Sequence, residues 1–286
     1  MSPTNDHFAF DLPLVDLPVV DLIATDIDGT MLRSDGTLSH RVREALHHAH
    51  AAGIHVVPST GRPLHVAEDV IAELGLDNYW VFANGAITRH LERGEVVRAF
   101  WMDPTIAQGI VVDLRDAIPG ARFAIELEHG LAHEHGFSDR VPSVPQGHPI
   151  DDVLDGMLGR VQKVLVFHDE LSVDELYQAS VRSVEDNAVP SYSGLNFIEI
   201  SAKLTTKAVA LDLLCADLGV SPSAVAAFGD NHNDVAMLEW AGTSYAMGNG
   251  SDDAKAAANH VIPSSDDDGL ALIVEQLTAH RLAARS

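Results

Sequence analysis

Six short apolar runs constrain this chain more than any other feature: VVDLIAT (19–25), IHVVPS (54–59), YWVFA (79–83), VAAFG (225–229), TSYAM (243–247) and HVI (260–262). Short runs that stay apolar instead of alternating fit strands covered on both faces, as in a buried parallel sheet. The segments between them carry helix punctuation. Ser39 can cap a predicted helix over 40–52 that stops at Gly53, and Pro63 opens one over 63–74 that stops at Gly75. Two more, 206–218 and 233–241, stop at Gly219 and Gly242. Strands alternating with helices in this way predict an α/β fold, a doubly wound parallel sheet of Rossmann-like form.

The pattern changes between about 88 and 193. ITRHLERGEVVRAF reads as a hairpin around Gly94, followed by a helix over 104–117 and an alternating strand, RFAIELEHGLAHEH. A run VQKVLVFH and a helix over 172–188 complete the segment. Helices beside a small antiparallel sheet predict a separate α+β module inserted after the third core strand. The expected division is a core of residues 1–87 and 194–286 with residues 88–193 inserted, the βα pattern resuming at Lys207. Residues 1–18, proline-dotted and acidic, are expected to form a loose arm.

Ligands of open α/β sheets bind beyond the carboxyl ends of the strands. Four polar clusters fall there: DIDGT (26–30), STGR (59–62), NGA (84–86) and GDNHND (229–234), with Lys207 opening the helix before the last. Asp26 and Asp28 stand one residue apart at the end of an apolar run, so they repel unless a cation or a chemical task separates their roles. Asp26, Asp28 and Asp230 offer the hard oxygens that suit Mg²⁺. Thr60, the backbone N–H groups near Gly61 and Lys207 make an anion cradle. A carboxylate, a divalent cation and a phosphate-sized cradle together describe phosphoryl transfer through an aspartyl-phosphate. Mg²⁺ then keeps Asp26 ionised as nucleophile, and Asp28 serves as acid and base.

Other readings of these residues are weaker. DIDG opens like a calcium loop, but the later ligands are missing and Thr30 leads into an apolar stretch. Asn84-Gly85 read alone is a turn, and Arg62 read alone pairs with surface acids. Lys207 is one of only four lysines, which makes its place beside the aspartates notable. His232 reads as loop filler. His133 and His135 share a strand face near His129, yet no cysteine accompanies them. With 16 histidines in the chain, and His47, His48 and His50 clustered on a helix, a zinc site is not assigned. A substrate contact from one of the three remains open.

The net charge of −24 argues against nucleic acid or an anionic membrane as partner, while allowing a small phosphorylated substrate met by local cations. No run approaches the roughly 18 apolar residues of a membrane span. No basic segment precedes an apolar core near the start. The one cysteine, Cys215, reads as a small core residue, so a cytoplasmic protein is expected.

Taken in order, DIDGT, Thr60-Gly61-Arg62, Lys207 at a helix start and GDNHNDVAMLEWAG resemble the haloacid dehalogenase-like phosphatase superfamily, in its Cof-type branch with a large inserted cap. The likeness covers both core segments and the position of the insertion. It implies Asp26 as nucleophile, Asp28 as general acid and base, and Thr60 and Lys207 as phosphate ligands. It also implies Mg²⁺ held by the Asp26 carboxylate, the Asp28 backbone carbonyl and Asp230. Asn233 and Asp234 would line the pocket, Asp234 behind the ligands, and Asn84 would reach phosphate or substrate. Ala208 departs from the glycine usual after the lysine. The implied activity is Mg²⁺-dependent hydrolysis of a small phosphate monoester such as a sugar phosphate. A phosphomutase of the same fold is the alternative, and a non-catalytic binding module is disfavoured because nucleophile and lysine are both present. The cap residues that select the substrate are not legible.

Overall fold

The protein is described by a computed structural model covering residues 18–128, 130–141, 147–157, 159–184 and 186–285. The arm expected at 1–18 lies, but for its last residue, outside the described residues. The first five strands are β1 (Leu22–Thr25), β2 (His55–Pro58), β3 (Tyr79–Phe82), β4 (Ile87–His90) and β5 (Glu95–Ala99). The next five are β6 (Arg122–Leu127), β7 (Gly130–Glu134), β8 (His148–Ile150), β9 (Val161–Phe167) and β10 (Ala188–Ser191). Then come β11 (Ile198–Ala202), β12 (Val225–Gly229), β13 (Thr243–Met247) and β14 (His260–Ile262).

The helices are α1 (His40–Ala51), α2 (Leu64–Leu74), α3 (Pro104–Ala117), α4 (Phe137–Arg140) and α5 (Val153–Gly156). After these come α6 (Val173–Val184), α7 (Lys207–Leu218), α8 (Val235–Trp240), α9 (Asp252–Ala257) and α10 (Gly269–Ala284). None is long and apolar enough to cross a membrane.

The apolar runs do what unalternated strands must. β14, β13, β12, β1 and β2 form one all-parallel sheet in that order, and β1, β12 and β13 are buried along their whole length. One face packs on α1 and α10 through Val42, Leu46, Ile273 and Leu277; the other packs on α7 and α8 through Leu211, Leu214 and Met237. Ser39 caps α1 as expected, accepting from the Val42 amide. In register, Thr25 of β1 faces Phe228 of β12, so both strands release their chains at one level.

β3, expected as a further parallel strand, runs parallel beside the end of β2 through the bridge between Ser59 and Val81, but its full ladder pairs with β4 in an antiparallel β3–β4–β5 sheet. The reason lies in the next three residues. Ala83, Asn84 and Gly85 all have positive φ, at 52°, 55° and 101°, and they turn the chain straight back into β4.

RFAIELEHGLAHEH, expected as one strand, is the hairpin β6–β7, with Leu127 facing Gly130. Its alternation continues in phase through the turn and so hides it. β6 and β7 belong to a six-stranded sheet, β10–β11–β9–β6–β7–β8. One face of that sheet packs Ile125, Val164 and Ile200 on α3 and α6. Along β9 all seven residues are buried, so its second face is covered too, and that face looks toward the carboxyl ends of the parallel strands.

Gly85 joins the fold to the site. A Cβ at this position would lie 2.3 Å from the Thr206 carbonyl oxygen, the residue that caps α7. Gly85→Ala should therefore cost at least the roughly 1–3 kcal/mol of a strained left-handed residue. Urea unfolding should show a lower midpoint at unchanged slope. An unchanged midpoint would mean that the α7 terminus moves aside freely.

Candidate active site

β1 ends in a buried carboxylate whose position the neighbouring strand sets. The Asp26 amide donates to the Phe228 carbonyl at 2.9 Å, and two residues later β12 releases Asp230 beside it. The loop after Asp26 must then pass close over Asp230. Gly29 allows this with φ +78°, and a Cβ there would sit 2.4 Å from Asp230 Oδ2. Thr30 Oγ1 donates to Asp230 Oδ1 at 2.9 Å, and Asn231 Nδ2 to Oδ2 at 2.8 Å.

Lys207, wholly buried, opens α7 behind its cap Thr206. Its ammonium donates to Asp26 Oδ1 at 2.5 Å and to Asp234 Oδ1 at 2.6 Å. The other oxygen of Asp234 accepts from the amides of Asp230 and Asn231 at 2.9 and 3.0 Å. Asp234 thus fixes both the lysine and the backbone that carries Asp230. Among the described residues, Asp26, Asp230 and Asp234 form the one group of three such side chains with ligand atoms within 4.8 Å of each other.

Three buried carboxylates around one ammonium carry excess negative charge, and the proton affinities of Asp26 and Asp230 are raised. Burial pushes Asp26 well above the usual carboxylate range; Lys207 opposes this, and Asp234, Asp230 and Asp28 reinforce it. Burial and then Asp234 push Asp230 up to about 7, against the pull of its Thr30 hydrogen bond. Burial alone would lower Lys207, but Asp234 and Asp26 outweigh it and hold the ammonium above its ordinary value.

Asp28 lies nearer the surface. Its side chain is half exposed, and Arg62 forks onto it, with Nε 2.8 Å from Oδ2 and a second bond to Oδ1. That hydrogen bond holds Arg62 above its ordinary value. Thr60 is fully buried, its hydroxyl accepting from the Arg62 amide at 3.0 Å.

A cavity of about 430 Å³ opens over these groups. Asp26, Asp28, Gly61, Arg62 and Asn233 line it; Thr60, Asn84, Lys207, Asp230 and Asp234 lie behind its wall. Asn84 is committed, donating to Glu199 Oε2 at 3.0 Å and accepting from Asn233 Nδ2 at 3.1 Å.

The opposite wall comes from the six-stranded sheet, and reading the sequence alone missed it. β9 places Lys163 and Leu165 on the cavity face, β6 places Glu126 opposite Lys163, and β11 places Glu199 opposite Leu165. A charge in the interior of a largely apolar strand, as in RFAIEL, VQKVLVF and FIEIS, was the available signal.

His232 is more than filler. Its ring stacks on Tyr192 at 4.6 Å and meets Tyr177 edge-on at 4.5 Å, joining the loop before α8 to α6 and the segment after β10. Burial lowers its proton affinity, and the nearby carboxylates Asp253 and Asp174 oppose that. His133 is buried with Nδ1 3.1 Å from the Glu134 carbonyl, and the exposed His135 faces Asp151. Neither lines the cavity, and His129 lies outside the described residues. Cys215, on α7, is free and buried in the cluster that packs this helix on the sheet.

Comparison with known proteins agrees with this geometry. The family described as haloacid dehalogenase-like hydrolase matches residues 23–274. Phosphatase YwpJ of Bacillus subtilis is 29% identical over 290 residues, covering 88% of this chain and 97% of that protein. The 5-amino-6-(5-phospho-D-ribitylamino)uracil phosphatase YitU of the same organism is 27% identical over 255 residues, covering 87% and 94%. Among solved structures, SMU.1108c from Streptococcus mutans superposes with a TM-score of 0.82 at 25% identity, covering 91% of this chain and 99% of that one. The match spans both core segments and the insertion between them, and the chain belongs to the haloacid dehalogenase-like hydrolase family.

Proposed function

We propose that this protein is a Mg²⁺-dependent phosphatase of small phosphate monoesters that works through an aspartyl-phosphate. One observation carries the reading. Asp26 stands at the floor of a substrate-sized cavity, held by Lys207 at 2.5 Å and crowded by two further buried carboxylates. The names of YwpJ and YitU, both phosphatases, support it.

In this reading an Asp26 oxygen attacks phosphorus. The bond from phosphorus to the ester oxygen breaks, and Asp28 gives that oxygen a proton. Asp28, now a carboxylate, takes a proton from water, which attacks phosphorus and breaks the bond to Asp26. Inorganic phosphate leaves, which separates this reaction from a mutase that returns the phosphoryl group to its substrate. Arg62 must first leave Asp28, and an incoming phosphate offers the guanidinium an equivalent bidentate partner. Lys207 keeps Asp26 aimed and partly compensated throughout, with Thr60 and Gly61 shaping the loop beneath the phosphoryl group.

The donor set fits a hard divalent cation, because Asp26 and Asp230 offer carboxylate oxygens within 4.8 Å of each other. Bound by Asp26, Asp230 and the Asp28 backbone carbonyl, Mg²⁺ would keep Asp26 ionised and offset charge on the phosphoryl oxygens. The sheet pairing supports a cap that begins after the β4–β5 hairpin and includes β11, so it starts and ends later than residues 88–193. The lone reduced cysteine supports a cytoplasmic setting.

Mg²⁺ binding is measurable without turnover. At about 100 times its dissociation constant, Mg²⁺ should stabilise the folded protein by about 2.7 kcal/mol. Thermal unfolding should show that gain in the wild type and lose most of it in Asp230→Asn, and EDTA should abolish hydrolysis. A midpoint indifferent to Mg²⁺, with full activity in chelator, removes the metal from the mechanism.

The two aspartates should fail in different ways. Asp26→Asn removes the nucleophile, so neither phosphoenzyme nor product should form. Asp28→Asn should lose about 10²–10⁴-fold, the usual range of acid–base help. With an activated aryl phosphate, whose leaving group needs little acid, it should accumulate a hydroxylamine-sensitive phosphoenzyme in rapid-quench labelling. Equal residual activity in the two variants, or label on another residue, overturns the assignment.

A further inference from the structure

The cavity has a charged wall that the phosphoryl chemistry leaves unused. Lys163 is buried between Glu126 and Glu199 on the six-stranded sheet. Its ammonium donates to the Gly61 carbonyl at 2.8 Å and to Glu199 Oε1 at 2.5 Å, and it pairs with Glu126 Oε2 at 3.3 Å. One ammonium between two carboxylates leaves a negative charge over. The second oxygen of Glu199 accepts from Asn84. Glu126 Oε1, by contrast, has no hydrogen-bond partner among the described residues, although Glu126 is 95% buried and lines the cavity. Buried carboxylate oxygens are rarely left in this state, because losing water without gaining a donor is costly.

Three apolar side chains stand on the same wall: Leu131, Leu165 and Phe197, all buried. The chemistry of a suitable occupant follows. It must bring a donor to Glu126, since a further acceptor would add to the uncompensated charge. It must not bring an anion, because the one ammonium is already shared by Glu126 and Glu199 and a third negative group would add to the excess. An ammonium is a poor occupant, since the apolar neighbours offer nothing to replace its remaining hydration. A hydroxyl needs one acceptor, and the carbon chain of a polyol suits the apolar side chains around it.

Resting on the phosphatase reading above, we propose that Glu126 is a specificity-determining residue. It accepts a hydrogen bond from a hydroxyl on the non-phosphate part of the substrate. The Glu126–Lys163–Glu199 wall thereby selects uncharged, hydroxyl-bearing monophosphates and rejects those with a second anionic group. Sites built to hydrogen-bond a substrate hydroxyl discriminate strongly against the analogue lacking it, because their own polar group is then left unpaired.

The test compares kcat/KM for D-sorbitol 6-phosphate, n-hexyl phosphate and 6-phospho-D-gluconate, with p-nitrophenyl phosphate as a general probe of phosphatase activity. The first pair differs only in hydroxyls; the third compound adds a carboxylate at the far end. The wild type should prefer sorbitol 6-phosphate to each of the others by about 10²-fold or more. In Glu126→Met, which keeps side-chain length and leaves a neutral Lys163–Glu199 pair, the preference over hexyl phosphate should shrink to within about 10-fold. Thermal unfolding checks that variant's fold, and the wild-type series decides alone if it does not fold. Hydrolysis of p-nitrophenyl phosphate with no preference for the hydroxylated compound, or an undiminished preference in folded Glu126→Met, overturns the inference. Absence of hydrolysis on all four compounds overturns the phosphatase reading instead, and this one with it.

Discussion

The ammonium of Lys207 between Asp26 and Asp234 is the contact on which the rest of the site depends. It is buried completely, and so is Asp234, so neither partner can be satisfied by water if the other is lost. Breaking such a pair by removing one partner typically costs about 3–5 kcal/mol, because a buried charge is left behind. Asp234 also receives the amides of Asp230 and Asn231, so the lysine indirectly sets where Asp230 points. Asp26, Asp230 and the loop before α8 are therefore one electrostatic unit.

That unit needs the first turn of α7 in one place, and strained backbone puts it there. Ala83, Asn84 and Gly85 hold three successive left-handed conformations, which only a well-packed surround maintains. The turn they make lies against the Thr206 carbonyl, at the helix end that presents Lys207. It also turns Asn84 toward Glu199 and Asn233, linking the parallel-sheet end to the facing sheet. Strain of a few residues is thus coupled to the placement of the central cation.

How much of this was legible depends on whether the signal was local. Asp26, Asp28, Asp230 and Lys207 stand at strand or helix ends, and a strand end is marked in sequence by an apolar run meeting a polar cluster. Their convergence followed from topology alone. The exit of β3 was half legible: Asn84-Gly85 marks a turn, but nothing in ANGA announces positive φ at an alanine. The β6–β7 turn was masked by alternation that stays in phase across it. Glu126, Lys163 and Glu199 each read as one charge in an apolar strand. Only the register, which sets Glu126 against Lys163 and Glu199 on the diagonal, makes them a cluster. His232 was taken for filler since its partners, Tyr177 and Tyr192, are distant in the chain.

The charge balance around the cavity also bears on how a protein of net charge −24 can handle an anionic substrate. At physiological salt the screening length is about 8 Å, so surface acids beyond that distance matter little once a ligand has entered. The local groups matter more. Asp26, Asp28, Asp230 and Asp234 face Lys207 and Arg62, while Lys163 is consumed by Glu126 and Glu199. As it stands the phosphate end is therefore net negative, and a phosphate dianion entering it would be repelled. A divalent cation among Asp26 and Asp230 would cancel that excess, and transfer of Arg62 from Asp28 to the phosphate would set a guanidinium directly against the ligand. The far end would keep two carboxylates around one ammonium whether or not the metal is bound. The cavity would then be polarised along its length, more repellent to an anion at Glu126 than at Asp26. A substrate with one phosphate and a neutral tail has a single favourable orientation in that field, phosphorus toward Asp26.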